Sequence, residues 1–94
     1  MRLDEYIKYD GLGLAELIRS KEVTVEEAIA SAHQASELLN PHINSIIEVF
    51  NEPLASNKST DAPFYGVPFL IKDLALHAAG VLNEMGSRLT QGLR

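Results

Sequence analysis

A long amphipathic helix, predicted over residues 25–39, is the feature of this sequence that most restricts its fold. Its start is marked by Thr24-Val25-Glu26-Glu27, in which the Thr24 and Glu27 side chains can each satisfy an amide of the first turn. Asn40-Pro41 is expected to end it, because the residue before a proline is pushed out of helical geometry. One face is apolar and is expected to be buried: Val25, Ala28, Ile29, Ala32, Ala35, Leu38 and Leu39.

The other face of this helix carries Glu26, Glu27 and Glu37. A helix that lies on a membrane surface would carry lysine and arginine there, so we expect it to pack within a protein. A shorter helix is predicted over residues 11–21, with Asp10 as its N-terminal cap. Its apolar positions recur at helical spacing, at Leu14, Leu17 and Ile18.

Two strands are predicted after the helices, over residues 43–50 and 67–73. Both are rich in apolar side chains that point in both directions, which is typical of a strand covered on both faces. The fold class is therefore predicted to be α/β, with two helices followed by strands of a mixed sheet. A sheet buried on both faces needs more helices than this chain has, so we expect residues 1–94 to be an incomplete piece of a larger domain.

Composition narrows the class of function. The 94 residues include eight basic and thirteen acidic ones, for a net charge of -5, which argues against binding to nucleic acid. The sequence has no cysteine, and its three histidines lack the spacing of metal ligands, so we expect no metal site. Neither a signal peptide nor an apolar run of about 20 residues is present, so we expect a cytoplasmic protein without a membrane partner.

Lys72 is the candidate catalytic residue, because it follows the apolar run Phe69-Leu70-Ile71. Burial of a lysine disfavours its charged form, and a neutral lysine can act as a general base. A structural interpretation stays open beside this one. Lys72 can equally mark the end of a strand, where it pairs with Asp73 or Glu84 or reaches into solvent.

The segment around this lysine resembles a known motif. It reads Gly66-Val67-Pro68-Phe69-Leu70-Ile71-Lys72-Asp73 and is followed by Gly80-Val81 and by Met85-Gly86-Ser87. This resembles the amidase signature family, whose members carry a Gly-Val-Pro segment that ends in Lys-Asp near the N-terminus. Residues 10–23 and 40–47 resemble the family's first helix and the start of its first long strand. The resemblance covers roughly residues 6–90 and implies the N-terminal portion of the amidase-signature fold.

The resemblance implies a hydrolase that cleaves carboxamide C–N bonds in small-molecule amides with a Ser–cis-Ser–Lys triad and no cofactor. Carried over by position, Lys72 is the catalytic base, and Asp73 organises the site. The family's Gly-Gly-Ser-Ser-Gly-Gly loop lies well downstream of the lysine and is absent here, and none of the seven serines stands between glycines. The chain alone is therefore expected to be inactive, as a fragment that carries one of the three triad members.

Two departures and two alternatives accompany this resemblance. Many members read Gly-Val-Pro-Thr-Thr-x-Gly-Ser where this chain reads Gly80-Val81-Leu82-Asn83-Glu84-Met85-Gly86-Ser87, and the segment between Phe50 and Phe64 is short.

One alternative is a truncated, non-catalytic binding or interaction module derived from the same fold. The other is an unrelated small α+β protein with a chance Gly-Val-Pro segment. A chain with unfinished sheet edges is also expected to associate with itself.

Overall fold

A computed structural model of the protein describes residues 1–50, 59–74 and 78–94. Within these ranges it contains three α-helices and a single 3-10 turn: α1 (Leu3–Tyr6), α2 (Gly11–Arg19), α3 (Val25–Ile43) and the 3-10 turn Arg88–Thr90. The chain divides into two compact units. The first comprises Met1–Val49 with Ala55–Pro68, and the second comprises Phe50–Leu54 with Phe69–Arg94.

Helix α2 begins as the sequence predicts and ends two residues earlier, at Arg19. The Asp10 carboxylate accepts a hydrogen bond of 2.7 Å from the Gly13 amide, which caps the first turn. At the other end the amides of Lys21 and Glu22 donate back to the carbonyls of Ile18 and Leu17, at 3.1 and 3.0 Å. This is the Schellman arrangement, in which the residue after the cap takes a left-handed conformation, and Lys21 has φ +63°.

The predicted cap of helix α3 is confirmed. The Thr24 hydroxyl accepts from the Glu27 amide at 3.1 Å and donates to the Glu27 carboxylate at 3.2 Å. The same carboxylate lies 3.4 Å from the Met1 ammonium, and these two partners, the ammonium first, lower the pKa of Glu27. Ser31, one turn further along and buried, donates to the Met1 carbonyl oxygen at 3.0 Å. The start of the chain is therefore held against α3.

The prediction that α3 ends at Asn40-Pro41 is wrong, because the helix continues to Ile43. A proline removes one amide donor and disfavours helical geometry in the residue before it, and the helix nevertheless includes Pro41 in its last turn. The end is fixed by two later contacts. The Asn44 amide donates to the Asn40 carbonyl at 2.8 Å with Asn44 in a left-handed conformation, and the Asn40 side chain bonds the backbone of Ile46.

The predicted strands over residues 43–50 and 67–73 are also wrong, since none of the residues that the structure describes lies in a strand. The mixed sheet is therefore not supported. Apolar content favours a strand, but a strand exists only when its amides and carbonyls pair with a neighbour. Here the amide and the carbonyl of Ile46 are both taken by Asn40, and the Val67 amide closes a turn onto the Phe64 carbonyl at 3.1 Å.

The core of the first unit lies between α2, α3 and the segment that contains Tyr65 and Val67. Ile18, Val23 and Ala28 are buried, and partly buried side chains pack around them: Met1, Leu17, Val25, Tyr65 and Val67. The predicted apolar face of α3 is thus buried in its first turns. It is not buried at its far end, where Leu38 and Leu39 are each 56% exposed.

Gly66 meets this core at close range. Its φ is +77°, and a Cβ atom added there would lie 2.6 Å from Cγ2 of Val25 and 3.3 Å from Cδ1 of Ile18. Only glycine accommodates both the backbone conformation and the contact. Packing against α2 and α3 therefore requires glycine at position 66, where the Gly-Val-Pro segment begins.

Candidate functional site

The residues predicted to form the site lie in the second unit, which resumes at Phe69 after the Gly-Val-Pro segment. Lys72 is exposed, and Asp73 is half-buried. Two of the three apolar neighbours that motivated the prediction of a buried lysine are exposed too, with Phe69 at 82% and Leu70 at 74%, whereas Ile71 is partly buried. Across the described ranges, no ion pair joins Lys72 to Asp73 or Glu84. Of the sequence interpretations, the one in which this lysine reaches into solvent matches its position here.

Asp73 makes the contact that ties this stretch to the rest of its unit. Its Oδ1 atom accepts a hydrogen bond from the Glu84 amide at 2.8 Å, in a partly buried position. A hydrogen bond to a carboxylate is among the stronger ones in proteins, and burial strengthens it further. Since Lys72 directly precedes Asp73, this bond also restricts where the Lys72 backbone can lie.

Glu84 belongs to a loop, residues 83–93, that is closed by its own hydrogen bonds. The Asn83 amide donates to the Leu93 carbonyl at 2.8 Å, and the Gly92 amide donates to Oε2 of Glu84 at 2.7 Å. The Glu84 carbonyl oxygen accepts from both the Ser87 amide, at 3.0 Å, and the Thr90 hydroxyl. Glu84 thus bonds through its amide, its carbonyl and its side chain. We refer to residues 83–93 as the Glu84 loop.

The turn inside this loop has an unusual backbone. Met85 and Gly86 both have positive φ values, +54° and +69°, which is the pattern of a type I′ turn. A non-glycine residue in the left-handed region costs about 1–2 kcal/mol. Such a residue persists only where surrounding bonds hold it, and here the four hydrogen bonds of Glu84 do so.

Two of the serines in the described ranges, Ser31 and Ser87, occupy structural positions. Ser31 is buried beneath Met1, and Ser87 caps the 3-10 turn by accepting from the Leu89 amide at 3.2 Å. No hydrogen bond within these ranges joins a serine to Lys72. The structure therefore does not assemble a serine nucleophile beside the lysine from the residues that it describes.

A shallow, open depression of about 340 Å³ lies in the second unit. It is lined mostly by small and apolar residues, with a guanidinium at its rim: Ala78, Ala79, Gly80, Val81, Asn83, Leu93 and Arg94. The Arg94 side chain donates to the Gly80 carbonyl at 2.9 Å, so two of the lining residues are bonded to each other. Within the described ranges no group of three histidine or carboxylate side chains has the geometry of a metal site, and no helix is long and apolar enough to cross a membrane.

Sequence reasoning identified Lys72 and Asp73 as neighbours in a site, but it assigned Glu84 only a possible pairing with the lysine. The structure gives Glu84 a different position, as the residue that receives Asp73 and closes the loop. One sequence signal for this was present. Glu84 stands where many members of the resembled family have a threonine, so a side chain with a different reach had to be accommodated there.

Comparison with curated proteins finds relatives among enzymes of amide chemistry. The chain is 35% identical over 75 residues to 6-aminohexanoate-cyclic-dimer hydrolase of Pseudomonas sp. (strain NK87). It is 34% identical over 86 residues to lipoamidase of Enterococcus faecalis. It is also 31% identical over 80 residues to a glutamyl-tRNA(Gln) amidotransferase subunit of Lachnoclostridium phytofermentans. No family model and no solved structure matches.

The alignments cover most of this chain and a small part of each relative. They take in 79%, 87% and 73% of the chain but only 15%, 12% and 16% of the three relatives, in the same order. This chain thus corresponds to less than a fifth of the length of each. An alignment over 87% of 94 residues includes Lys72 and Asp73 wherever it begins, so the candidate site lies within the related region.

Proposed function

This chain is a relative of the amidase-signature enzymes, and we propose that it forms the lysine-bearing N-terminal part of an enzyme that hydrolyses carboxamide C–N bonds. The observation that carries this proposal is the position of Lys72-Asp73 inside the region related to the lipoamidase. In this proposal Lys72 is the general base, and Asp73 organises the segment by its bond to the Glu84 amide. The serines come from polypeptide other than residues 1–94.

The proposed reaction is an acyl transfer to water in two halves. A serine hydroxyl attacks the amide carbonyl while its proton passes through a second serine to the Lys72 amine. The C–N bond then breaks, and the amine leaves with that proton. Water attacks the acyl-enzyme in the second half and releases the carboxylic acid, with the same lysine taking and returning the proton. The contribution of this chain is a proton acceptor held at a fixed place.

The exposure of Lys72 sets a condition on this proposal. A solvated ammonium is stable in its charged form, whereas a general base must be neutral when the serine loses its proton. The exposed apolar side chains of Phe69, Leu70 and Leu74 surround the lysine in sequence, so a surface that covers them would also remove water from Lys72. In the proposed enzyme that surface belongs to the polypeptide that carries the serines.

The test starts from the protein isolated from its source, whose intact mass is measured first. It is then assayed by amine release from the cyclic dimer of 6-aminohexanoate and from lipoamide, probes taken from the names of two relatives. We expect a mass several times 10.3 kDa and measurable release. Lys72→Ala should lower kcat by at least about a thousandfold, since the base takes part in both halves of the reaction.

Lys8→Ala is the matched control, because Lys8 is an exposed lysine in the other unit and should leave kcat unchanged. Circular dichroism of both variants checks that the helices survive. Turnover retained by a folded Lys72→Ala variant would remove this lysine from the mechanism.

A non-catalytic interaction module is the second candidate, and the exposure of Phe69, Leu70 and Leu74 favours it. An apolar stretch that is open to solvent is suited to bind another protein surface. This candidate predicts an intact mass near 10.3 kDa, no amine release, and binding that Phe69→Ser weakens while Lys72→Ala leaves it intact.

A further inference from the structure

We propose that Glu84 is a positioning residue for Lys72, which acts through Asp73 by a hydrogen-bonded loop rather than by its charge. This inference rests on the proposed function, because it concerns the placement of the same lysine. It goes beyond that function because it assigns a role to Glu84, which stands where many members of the family have a threonine.

The first step of the argument is the anchor. The Glu84 amide donates to Oδ1 of Asp73 at 2.8 Å, and this bond spans eleven residues of chain in the second unit. Asp73 is half-buried while Lys72 beside it is exposed, so the anchor holds the backbone and leaves the amine free to meet a partner surface. A base is effective only within hydrogen-bond reach of the proton that it takes, and displacement by about 1 Å can cost a hundredfold in rate.

The second step is what holds the anchor. An amide donor is supplied by any residue other than proline, so the identity of residue 84 matters through its side chain. The Glu84 carboxylate receives the Gly92 amide at 2.7 Å and thereby closes the Glu84 loop across the left-handed pair Met85 and Gly86. Without this bond the strained turn can relax, and the Glu84 amide moves away from Asp73.

The third step separates geometry from charge. Glutamine at position 84 retains an oxygen that can accept from the Gly92 amide but carries no charge, whereas alanine offers neither. If Glu84 acts by hydrogen bonding, Glu84→Gln should preserve the placement of Lys72, and Glu84→Ala should disturb it. If it acted by its charge, the two variants would behave alike.

The structural arm of the test measures amide hydrogen exchange, resolved by residue, in the same full-length protein and variants that the kinetic arm uses. In Glu84→Ala we expect exchange at Gly92 and at residue 84 to accelerate at least about tenfold, while Glu84→Gln stays within about threefold of the parent. Asp73→Ala should accelerate exchange at Glu84 and leave Gly92 protected, since it removes the anchor and not the loop. Glu37→Ala, an exposed glutamate of α3, is the control and should change neither amide. Unchanged exchange at residue 84 in Glu84→Ala would overturn the proposal.

The kinetic arm uses the enzyme as isolated from its source and amine release from 6-aminohexanoate cyclic dimer. We expect Glu84→Ala to lower kcat at least about tenfold with KM within about twofold, and Glu84→Gln to recover kcat to within about threefold of the parent. The pH profile of kcat should keep its midpoint in Glu84→Gln. If the Glu84 charge acted on the lysine, removal of that charge would shift the midpoint. An undiminished kcat in Glu84→Ala, or equal losses in the two variants, would overturn the proposal.

The two arms distinguish this inference from the function on which it rests. Activity that depends on Lys72 but not on residue 84 leaves the proposed function standing and removes the role of Glu84. If exchange accelerates in Glu84→Ala but Lys72→Ala leaves kcat unchanged, the proposed function is wrong. The bond between Asp73 and the Glu84 amide then has no role in catalysis.

Discussion

The side-chain amide of Asn40 makes two hydrogen bonds to the backbone of Ile46, one from Nδ2 to the carbonyl oxygen and one from the Ile46 amide to Oδ1, both 2.8 Å long. This pairing imitates the two bonds that a neighbouring strand would form with a single residue. It turns the chain sharply after α3 and uses both polar backbone groups of Ile46. One side chain therefore fixes the helix end and prevents strand pairing at that residue.

Removal of this pairing should lower stability measurably. Asn40→Ala loses two partly buried hydrogen bonds, each worth about 0.5–1.5 kcal/mol net, so we expect the free energy of unfolding to fall by about 2 kcal/mol. Urea unfolding followed by circular dichroism measures this loss. Gln34→Ala, at an exposed position of the same helix, is the control and should be neutral or slightly stabilising. Equal midpoints for the two variants would show that the pairing contributes nothing.

Gly66 and Gly80 offer a comparison at the same backbone angle. Both have φ +77°, but a Cβ atom at Gly66 would meet Val25 at 2.6 Å, while one at Gly80 has nothing within 4 Å among the residues that the structure describes. Gly80→Ala should therefore cost only the conformational strain of about 1–2 kcal/mol. Gly66→Ala should cost about 1–3 kcal/mol more, because the core is overpacked as well. Thermal unfolding of both variants tests this, and adding Val25→Ala should recover part of the loss in Gly66→Ala alone.

Lys21 occupies a left-handed position that glycine prefers, with φ +63° at the end of α2. Lys21→Gly removes the strain of the Cβ atom and should raise the free energy of unfolding by about 0.5–1 kcal/mol, after allowance for the more flexible unfolded chain. Chemical denaturation measures the gain. Glu22→Gly, at the next residue, has no positive φ to relieve and should destabilise instead. A loss in both variants would contradict the assigned helix end.

The pKa of Glu27 lies below its ordinary value of 4.5, chiefly because the Met1 ammonium bonds its carboxylate and also because the Thr24 hydroxyl does so. A carboxyl whose pKa is lowered by folding stabilises the protein above its unfolded pKa, and this contribution is lost as pH falls through the folded value. Stability should therefore decrease from about pH 5 downward. Glu27→Gln should flatten this part of the curve, because it removes the carboxylate that the Met1 ammonium and the Thr24 hydroxyl bond. Thermal unfolding in buffers from about pH 6 down to about pH 3 provides the measurement.

Exposed apolar side chains give a separate reason to expect self-association. Self-association through unfinished sheet edges is no longer expected, because the described residues form no strand. The exposed side chains lie instead on α3, where Leu38, Leu39 and Ile43 are each more than half exposed. Burial of such a surface against a second copy is favourable at about 25 cal/mol per Å². Light scattering should show an apparent mass that rises with concentration, and Leu39→Glu should reduce that rise. A sharp monomer peak at every concentration would contradict this prediction.

The parts of the fold that the sequence predicts correctly are those determined by neighbouring residues. Asp10 and Thr24 cap their helices as expected, because a cap depends on an amide two or three positions away. The burial of Ile18 and Ala28 also follows from helical periodicity. Each of these features lies within a few turns of chain.

The incorrect predictions concern contacts with distant or unforeseen partners. The apolar composition of residues 43–50 favours a strand, yet it does not reveal that Asn40 takes the backbone of Ile46. The burial of Ser31 beneath Met1 is not predicted at all, because a polar side chain gives no sign of it in the sequence. For the candidate site, the motif predicts Lys72 and Asp73, which stays a prediction, and the acceptor role of Asp73 toward Glu84 depends on a loop closure that no local pattern specifies.

The tight fit of Gly66 separates two selective pressures within one short motif. Gly66 is required because any larger residue collides with Val25, so its loss harms folding whether or not the protein turns over a substrate. Lys72 is exposed and makes no comparable contact among the residues that the structure describes, so if it is the base proposed above, only catalysis would retain it, and in a gene copy without hydrolysis it would drift freely. In such a lineage the glycine would outlast the lysine. The surviving half of the motif would then record the architecture of an ancestor, and, under the proposed function, the identity of residue 72 would record whether hydrolysis was still in use.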